Sequence, residues 1–85
     1  MTYRVELRPA AERSLRRIHP QERARILGAI ELLALDPRPP RSRRLSNNPY
    51  FRVRVGGHRV IYAIEDGLLV IVVMTIGHRR EVYRG

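Results

Sequence analysis

Polar and apolar residues alternate from the second residue onward. Across Thr2 to Arg8, Tyr3, Val5 and Leu7 fall on one side and Arg4, Glu6 and Arg8 on the other. That two-residue period predicts a strand with one wet face. The period then changes. Pro9 suits the first turn of a helix, and Ala11, Leu15 and Ile18 recur at helical spacing up to His19. Pro20 ends this segment and opens the next. From Gln21 to Leu35, Ile26, Ile30 and Leu33, flanked by Leu27 and Ala34, form the apolar stripe of a second helix. Together the two segments predict a helical hairpin with polar, arginine-rich outer faces.

The stretch DPRPPRSRRLSNNP (36–49) holds four prolines, two asparagines and two serines, and reads as a connecting loop without a regular element. Phe51 to Val55, His58 to Glu65 and Leu68 to Ile76 then read as three strands. Gly56-Gly57 and Asp66-Gly67 are tight-hairpin signals between them. The last strand is apolar on both parities, as a central strand covered on both sides requires. The expected fold is α+β in a single domain over 1–85: an N-terminal strand, a two-helix hairpin, then a three-stranded antiparallel meander, with the helices packed on one sheet face.

A two-residue Gly56-Gly57 turn dictates a register. Val55 faces His58, Arg54 faces Arg59 and Val53 faces Val60, and paired residues share a face. Phe51, Val53, Val55, Val60, Tyr62 and Ile64 then meet the helices, and Arg52, Arg54 and Arg59 gather on the other face. Carrying the parity through Asp66-Gly67 adds Val70, Val72, Met74, Ile76 and His78 to the arginine face, whereas a three-residue turn there would reverse it. The result is a concave basic site with an apolar floor and a histidine at its rim. His58 projects toward the core face as a packed residue, and His19 belongs to a solvated helix–helix turn.

Charge sharpens this picture. The net charge is +9 and all seventeen basic residues are arginine. Residues 1–36 carry seven arginines and five acids, residues 37–64 seven and none, and residues 65–85 three of each. The excess sits in the middle third, where the arginine strand lies. A one-sided basic surface fits a polyanion: nucleic acid, an acidic protein or a membrane face. The bland alternatives are a solvated strand face and a genome-wide preference for arginine. Other classes drop out. With no cysteine there is no disulfide framework and no thiolate metal site. Met1 to Arg8 does not read as a signal peptide, and Leu68 to Met74 is too short to span a bilayer, so a cytoplasmic domain without a membrane partner is expected.

The stretches YFRVRVGGHRVIYAI (50–64) and GHRREVYR (77–84) carry a family likeness. With the chain's length, its order of elements, the Arg-Val-Ile-Tyr of the middle strand and the closing His-Arg followed by Val-Tyr, the whole chain resembles the RelE/ParE superfamily of toxin–antitoxin toxins. The resemblance implies a RelE-like messenger-RNA endoribonuclease that cuts in the ribosomal A site without a metal or other cofactor. In that chemistry the ribose 2′-hydroxyl attacks the adjacent phosphate, leaving a 2′,3′-cyclic phosphate and a 5′-hydroxyl. Guanidinium groups suit the charge of the transition state, because they fork onto phosphate oxygens and stay protonated.

Carried over by position, Arg52 and Arg54 fall where RelE-type enzymes have two basic strand residues, and Arg59 matches their phosphate-gripping arginine. Arg79, with Arg80 as its rival, matches the arginine near the leaving group. Tyr83 matches a tyrosine that stacks on or orients the substrate. One departure matters: the lysine pair of well-studied members is replaced by arginine, which is a poor general base. His78 is therefore the expected proton-transfer residue, since histidine titrates near neutrality. Arg41, Arg43 and Arg44 of the loop are expected to meet RNA phosphates.

The resemblance also implies partners: a cognate antitoxin whose acidic segment covers the basic groove, the ribosome with its messenger and ribosomal RNA, and operator DNA through the antitoxin complex only. A chain ending two residues after Tyr83 has no C-terminal helix of its own, so an antitoxin helix is expected in that place. Two rivals stay open. One is a ParE-like protein that poisons DNA gyrase on the same fold. The other is a non-enzymatic basic domain that binds RNA, for which Tyr50 and Phe51 make only a thin stacking platform.

Overall fold

A computed structural model describes residues 2–78. The elements run β1 (Arg4–Leu7), α1 (Pro9–Arg17), α2 (Pro20–Leu35), β2 (Arg43–Arg44), β3 (Phe51–Val55), β4 (His58–Glu65), a 3-10 turn (Asp66–Leu68) and β5 (Val70–His78). The strands form one five-stranded sheet in the order β1-β5-β4-β3-β2. Only β1 against β5 is parallel; the meander from β2 to β5 is antiparallel throughout. The fold is thus α+β, with both helices on one face of a mixed sheet. No helix among the described residues is long and apolar enough to cross a membrane.

The helices form where the prolines and apolar spacing place them. Pro9 and Pro20 occupy the first turns of α1 and α2, where a missing N–H costs no helical bond. Ala11 and Leu15 of α1 and Ile26, Ile30 and Leu33 of α2 pack onto Val53, Val55, Val60, Tyr62, Ile71, Val73 and Ile76 of the sheet. Tyr3, Val5 and Leu7 add their apolar side from β1. Arg23 ties the hairpin together. Its guanidinium donates to the carbonyls of Leu15 (2.8 Å), Arg16 (3.3 Å) and Ile18 (2.9 Å) at the C-terminal end of α1, where helical carbonyls run short of backbone donors. His19 is exposed, as expected of the helix turn, and also caps α2: its Nδ1 accepts from the Gln21 amide at 3.1 Å. The outer face of α2 is less polar than expected, since Leu27, Leu32 and Leu35 are exposed there.

Three expectations need correcting. The loop 36–49 does contain a regular element, because Arg43 and Arg44 pair with Arg52 and Phe51. Its prolines lie outside those two residues, so the backbone N–H groups needed for pairing are present. The link between β4 and β5 is a 3-10 turn closed by Leu69 in the left-handed conformation (φ 54°, ψ 50°), with no two-residue hairpin turn. The Leu69 carbonyl accepts from the Arg4 amide at 2.8 Å, so this turn also starts the parallel pairing with β1. Finally, β5 starts two residues later than expected and runs on to His78.

Candidate functional site

The Gly56-Gly57 turn sets the site. Gly56 has φ +60°, as the first residue of a II′ hairpin turn requires. A Cβ there would also come within 3.1 Å of Glu22 Oε1. The register that results pairs Val55 with His58, Arg54 with Arg59 and Val53 with Val60. Arg52, Arg54 and Arg59 therefore share the sheet face away from the helices. The β2–β3 pairing adds Arg43, directly opposite Arg52.

Among the described residues, a cleft of about 160 Å³ is lined by Arg41, Arg43, Arg52, Arg54 and Arg59. Arg59 is only 4% exposed. Arg54 faces Arg59 and Arg43 faces Arg52, so like charges stand directly opposite on the sheet twice, an arrangement that suits a bound polyanion. Beside the cleft, and sharing Arg52 and Arg59 with it, lies a cavity of about 440 Å³ lined by Leu45, Ser46, Asn47, Asn48, Tyr50, Ile61, Met74 and Thr75. Its outer wall is the hairpin loop 45–50. The Leu45 amide donates to the Tyr50 carbonyl (2.9 Å), and the Tyr50 amide donates to Asn48 Oδ1 (2.9 Å). Nothing in the residue pattern pointed to this cavity; the only trace is the Asn-Pro turn that shapes its wall.

Not every predicted residue reaches the cleft. Arg44 pairs with Phe51 and so shares the helix-side face, opposite to Arg43. His78 is also displaced. Tyr62 pairs with Val73 but Ile61 pairs with Thr75, so β5 carries one extra residue at this point. This β-bulge resets the parity. Val72 and Met74 stay on the arginine side, while Ile76 enters the core at 2% exposure and His78 pairs with His58. The two imidazoles meet edge to face, 6.1 Å between centroids. His78 is thus no rim residue of the basic site, and no imidazole or carboxylate of the described residues lines either cavity. Arg79, Arg80 and Tyr83 lie outside the described residues.

Arg38, from the same acid-free stretch, is held elsewhere. It forks onto Asp66 (Nη2–Oδ2 2.8 Å, Nη1–Oδ1 3.3 Å) and lies 5.6 Å over the Phe51 ring. The Tyr3 hydroxyl donates to the same carboxylate at 2.6 Å. Hydrogen bonds from Arg38 and Tyr3 hold the Asp66 carboxyl below the usual carboxylate range, and the Tyr3 phenol is raised in turn. The hydroxyl of Tyr62, pushed up by burial, donates to the Pro37 carbonyl at 2.8 Å. These bonds anchor the start of the loop. A Ser42–Pro39 turn then carries the chain on to Arg41 and Arg43 (Ser42 Oγ to the Pro39 carbonyl, 2.8 Å).

The family model described as "ParE toxin of type II toxin-antitoxin system, parDE" matches residues 5–83. The chain belongs to the ParE toxin family. Toxin RelG of Mycobacterium tuberculosis is 28% identical over 88 residues, covering 99% of both chains. Among solved structures, the toxin–antitoxin complex RelBE2 of the same organism superposes with a TM-score of 0.82 at 26% identity, over 93% of this chain and 100% of the other. The archaeal RelE–RelB complex of Pyrococcus horikoshii OT3 gives 0.82 and 26%, over 93% and 97%. The chain is accordingly a toxin of a type II toxin–antitoxin system, and its arginine cleft lies on the sheet face away from the helices.

Proposed function

We propose that this toxin is a ribosome-dependent messenger-RNA endoribonuclease, and that its arginine cleft grips the scissile phosphate. The supporting observation is the cleft itself: five guanidiniums converge on about 160 Å³, one of them buried. Attack of the 2′-hydroxyl on phosphorus forms the P–O2′ bond and breaks the P–O5′ bond, through a phosphorane with added negative charge. Arg54 and Arg59, opposite each other on β3 and β4, face that charge with fixed donors, the arrangement that lowers such barriers most. Arg52, Arg41 and Arg43 hold the flanking phosphates. Guanidiniums do not take the 2′-hydroxyl proton. The acceptor is therefore none of the five arginines of the cleft, and Arg79 and Tyr83 remain the candidates for leaving group and base stacking.

The partners follow the same logic. An antitoxin with an acidic segment covers the basic cleft, and operator DNA is reached through that complex. The solved relatives named above are toxin–antitoxin complexes. Second to this reading stands gyrase poisoning, favoured by the ParE description of the matching family model.

Mapping cleavage ends on translating ribosomes tests the proposal. The wild type is expected to cut within A-site codons, leaving 2′,3′-cyclic phosphate ends. Arg59→Ala should lower the rate about 10²–10³-fold. Intact messages together with trapped gyrase–DNA complexes would establish the second reading instead.

A further inference from the structure

The two cavities differ in chemistry and share a wall. One is all guanidinium; the other, through Ile61 and Met74, has an apolar floor, with Tyr50 beside it and the polar side chains of Ser46, Asn47 and Asn48 around it. Arg52 and Arg59 line both. A nucleotide has the same division: a charged phosphate joined to a flat base with an apolar face and a polar edge. The volume of about 440 Å³ falls within the range of small-ligand sites.

We propose that this second cavity is a base subsite, taking the nucleobase next to the phosphate held in the arginine cleft, and that Asn47 sets which base it prefers. The inference rests on the reading of the arginine cleft as a phosphate site. Single-stranded RNA is recognised through bases that stack on aromatic side chains and hydrogen-bond along their edges. Tyr50 supplies a stacking face, and the cavity floor supplies apolar contact. Asn48 is committed to the loop, because its Oδ1 accepts the Tyr50 amide. Asn47 is exposed beside it and offers a carboxamide, the group that pairs with the donor–acceptor edge of a base. The β5 bulge makes the floor possible, since it turns both Met74 and Thr75 toward the cavity.

Binding of the four nucleoside 5′-monophosphates and of ribose 5-phosphate, followed by amide chemical shifts of the purified toxin, tests this. At least one nucleotide should bind about tenfold tighter than ribose 5-phosphate, which corresponds to about 1.4 kcal/mol, with shifts at Ile61, Met74 and Thr75. Tyr50→Ala should lower the nucleotide-to-ribose-phosphate affinity ratio for every base. Asn47→Ala should leave stacking but flatten the differences among the four. If all four nucleotides bind no better than ribose 5-phosphate, the base subsite is wrong while the phosphate site stands. If ribose 5-phosphate binding is absent, or identical in Arg59→Ala, the phosphate reading falls and the base subsite with it. Unchanged base preference in Asn47→Ala would overturn the role of that residue alone.

Discussion

Arg38 and Arg59 come from the same acid-free stretch of 28 residues (37–64), and the fold uses them in opposite ways. Arg38 stands at the loop start, roughly half exposed, with Asp66 forked against it and Phe51 beneath. Arg59 is buried in a wall of four other arginines. At the first site the chain brings its own anion from a turn 28 residues away, and the guanidinium ties loop to sheet. At the second, hairpin pairing gathers five cations around one cleft, where the proposed function places a phosphate. What separates a structural arginine from a functional one is which partner the topology delivers.

The largest effects should break that comparison at the cleft. Arg59→Ala is expected to lower cleavage by the 10²–10³-fold given above, whereas Arg38→Ala should leave the rate within a few-fold. Primer-extension mapping on the same messages compares the two directly. Equal losses would mean that the loop anchor and the cleft act as one unit. A second, smaller effect concerns stability. Inorganic phosphate at 100 times its dissociation constant should stabilise the toxin by about 2.7 kcal/mol. Measured by thermal melting against chloride of equal ionic strength, the gain should shrink in Arg54→Ala and survive in Arg38→Ala.

The fold was largely legible because each element carries its own punctuation. Pro9 and Pro20 start the helices, the alternation of β1 shows its face, and Gly56-Gly57 dictates the β3–β4 register residue by residue. Legibility failed where one residue changes the count. The β5 bulge at Met74, opposite Ile61 and Tyr62, leaves no mark in a strand that is apolar on both parities, because Val72, Val73 and Met74 read the same whichever way they face. His78 was accordingly assigned to the wrong side. Arg44 was misplaced for a related reason: a loop reading assigns no parity, and only the pairing of Arg43 with Arg52 reveals that its neighbour points away. The cavity under the loop 45–50 is a product of tertiary approach and has no local signature.

Smaller effects should sharpen the structural side. Arg38→Ala removes a half-exposed ion pair, worth about 0–1 kcal/mol, and a cation–π contact of about 0.5–1 kcal/mol. Chemical denaturation should show a loss near 1 kcal/mol. Tyr62→Phe removes the hydroxyl that reaches the Pro37 carbonyl, and should cost about 0.5–1.5 kcal/mol. Normal stability in both variants would show that the loop start is held by backbone packing alone.

The smallest effect is the most specific to the anchor. The folded carboxyl of Asp66 titrates below its ordinary value because Arg38 and Tyr3 donate to it. The folded state therefore binds that proton less readily than the unfolded chain does. Its stabilisation is complete above the unfolded aspartate pKa of about 3.9 and fades as the pH falls through the lower folded value. Asp66→Asn lacks this dependence. The variant should melt lower than the wild type at pH 7, and the difference should narrow between about pH 4 and pH 2. Arg38→Ala, which keeps the carboxylate but removes its stronger donor, should show a similar narrowing. A wild-type–to–Asp66→Asn difference that stayed constant across that range would mean that the Asp66 charge contributes nothing to the anchor.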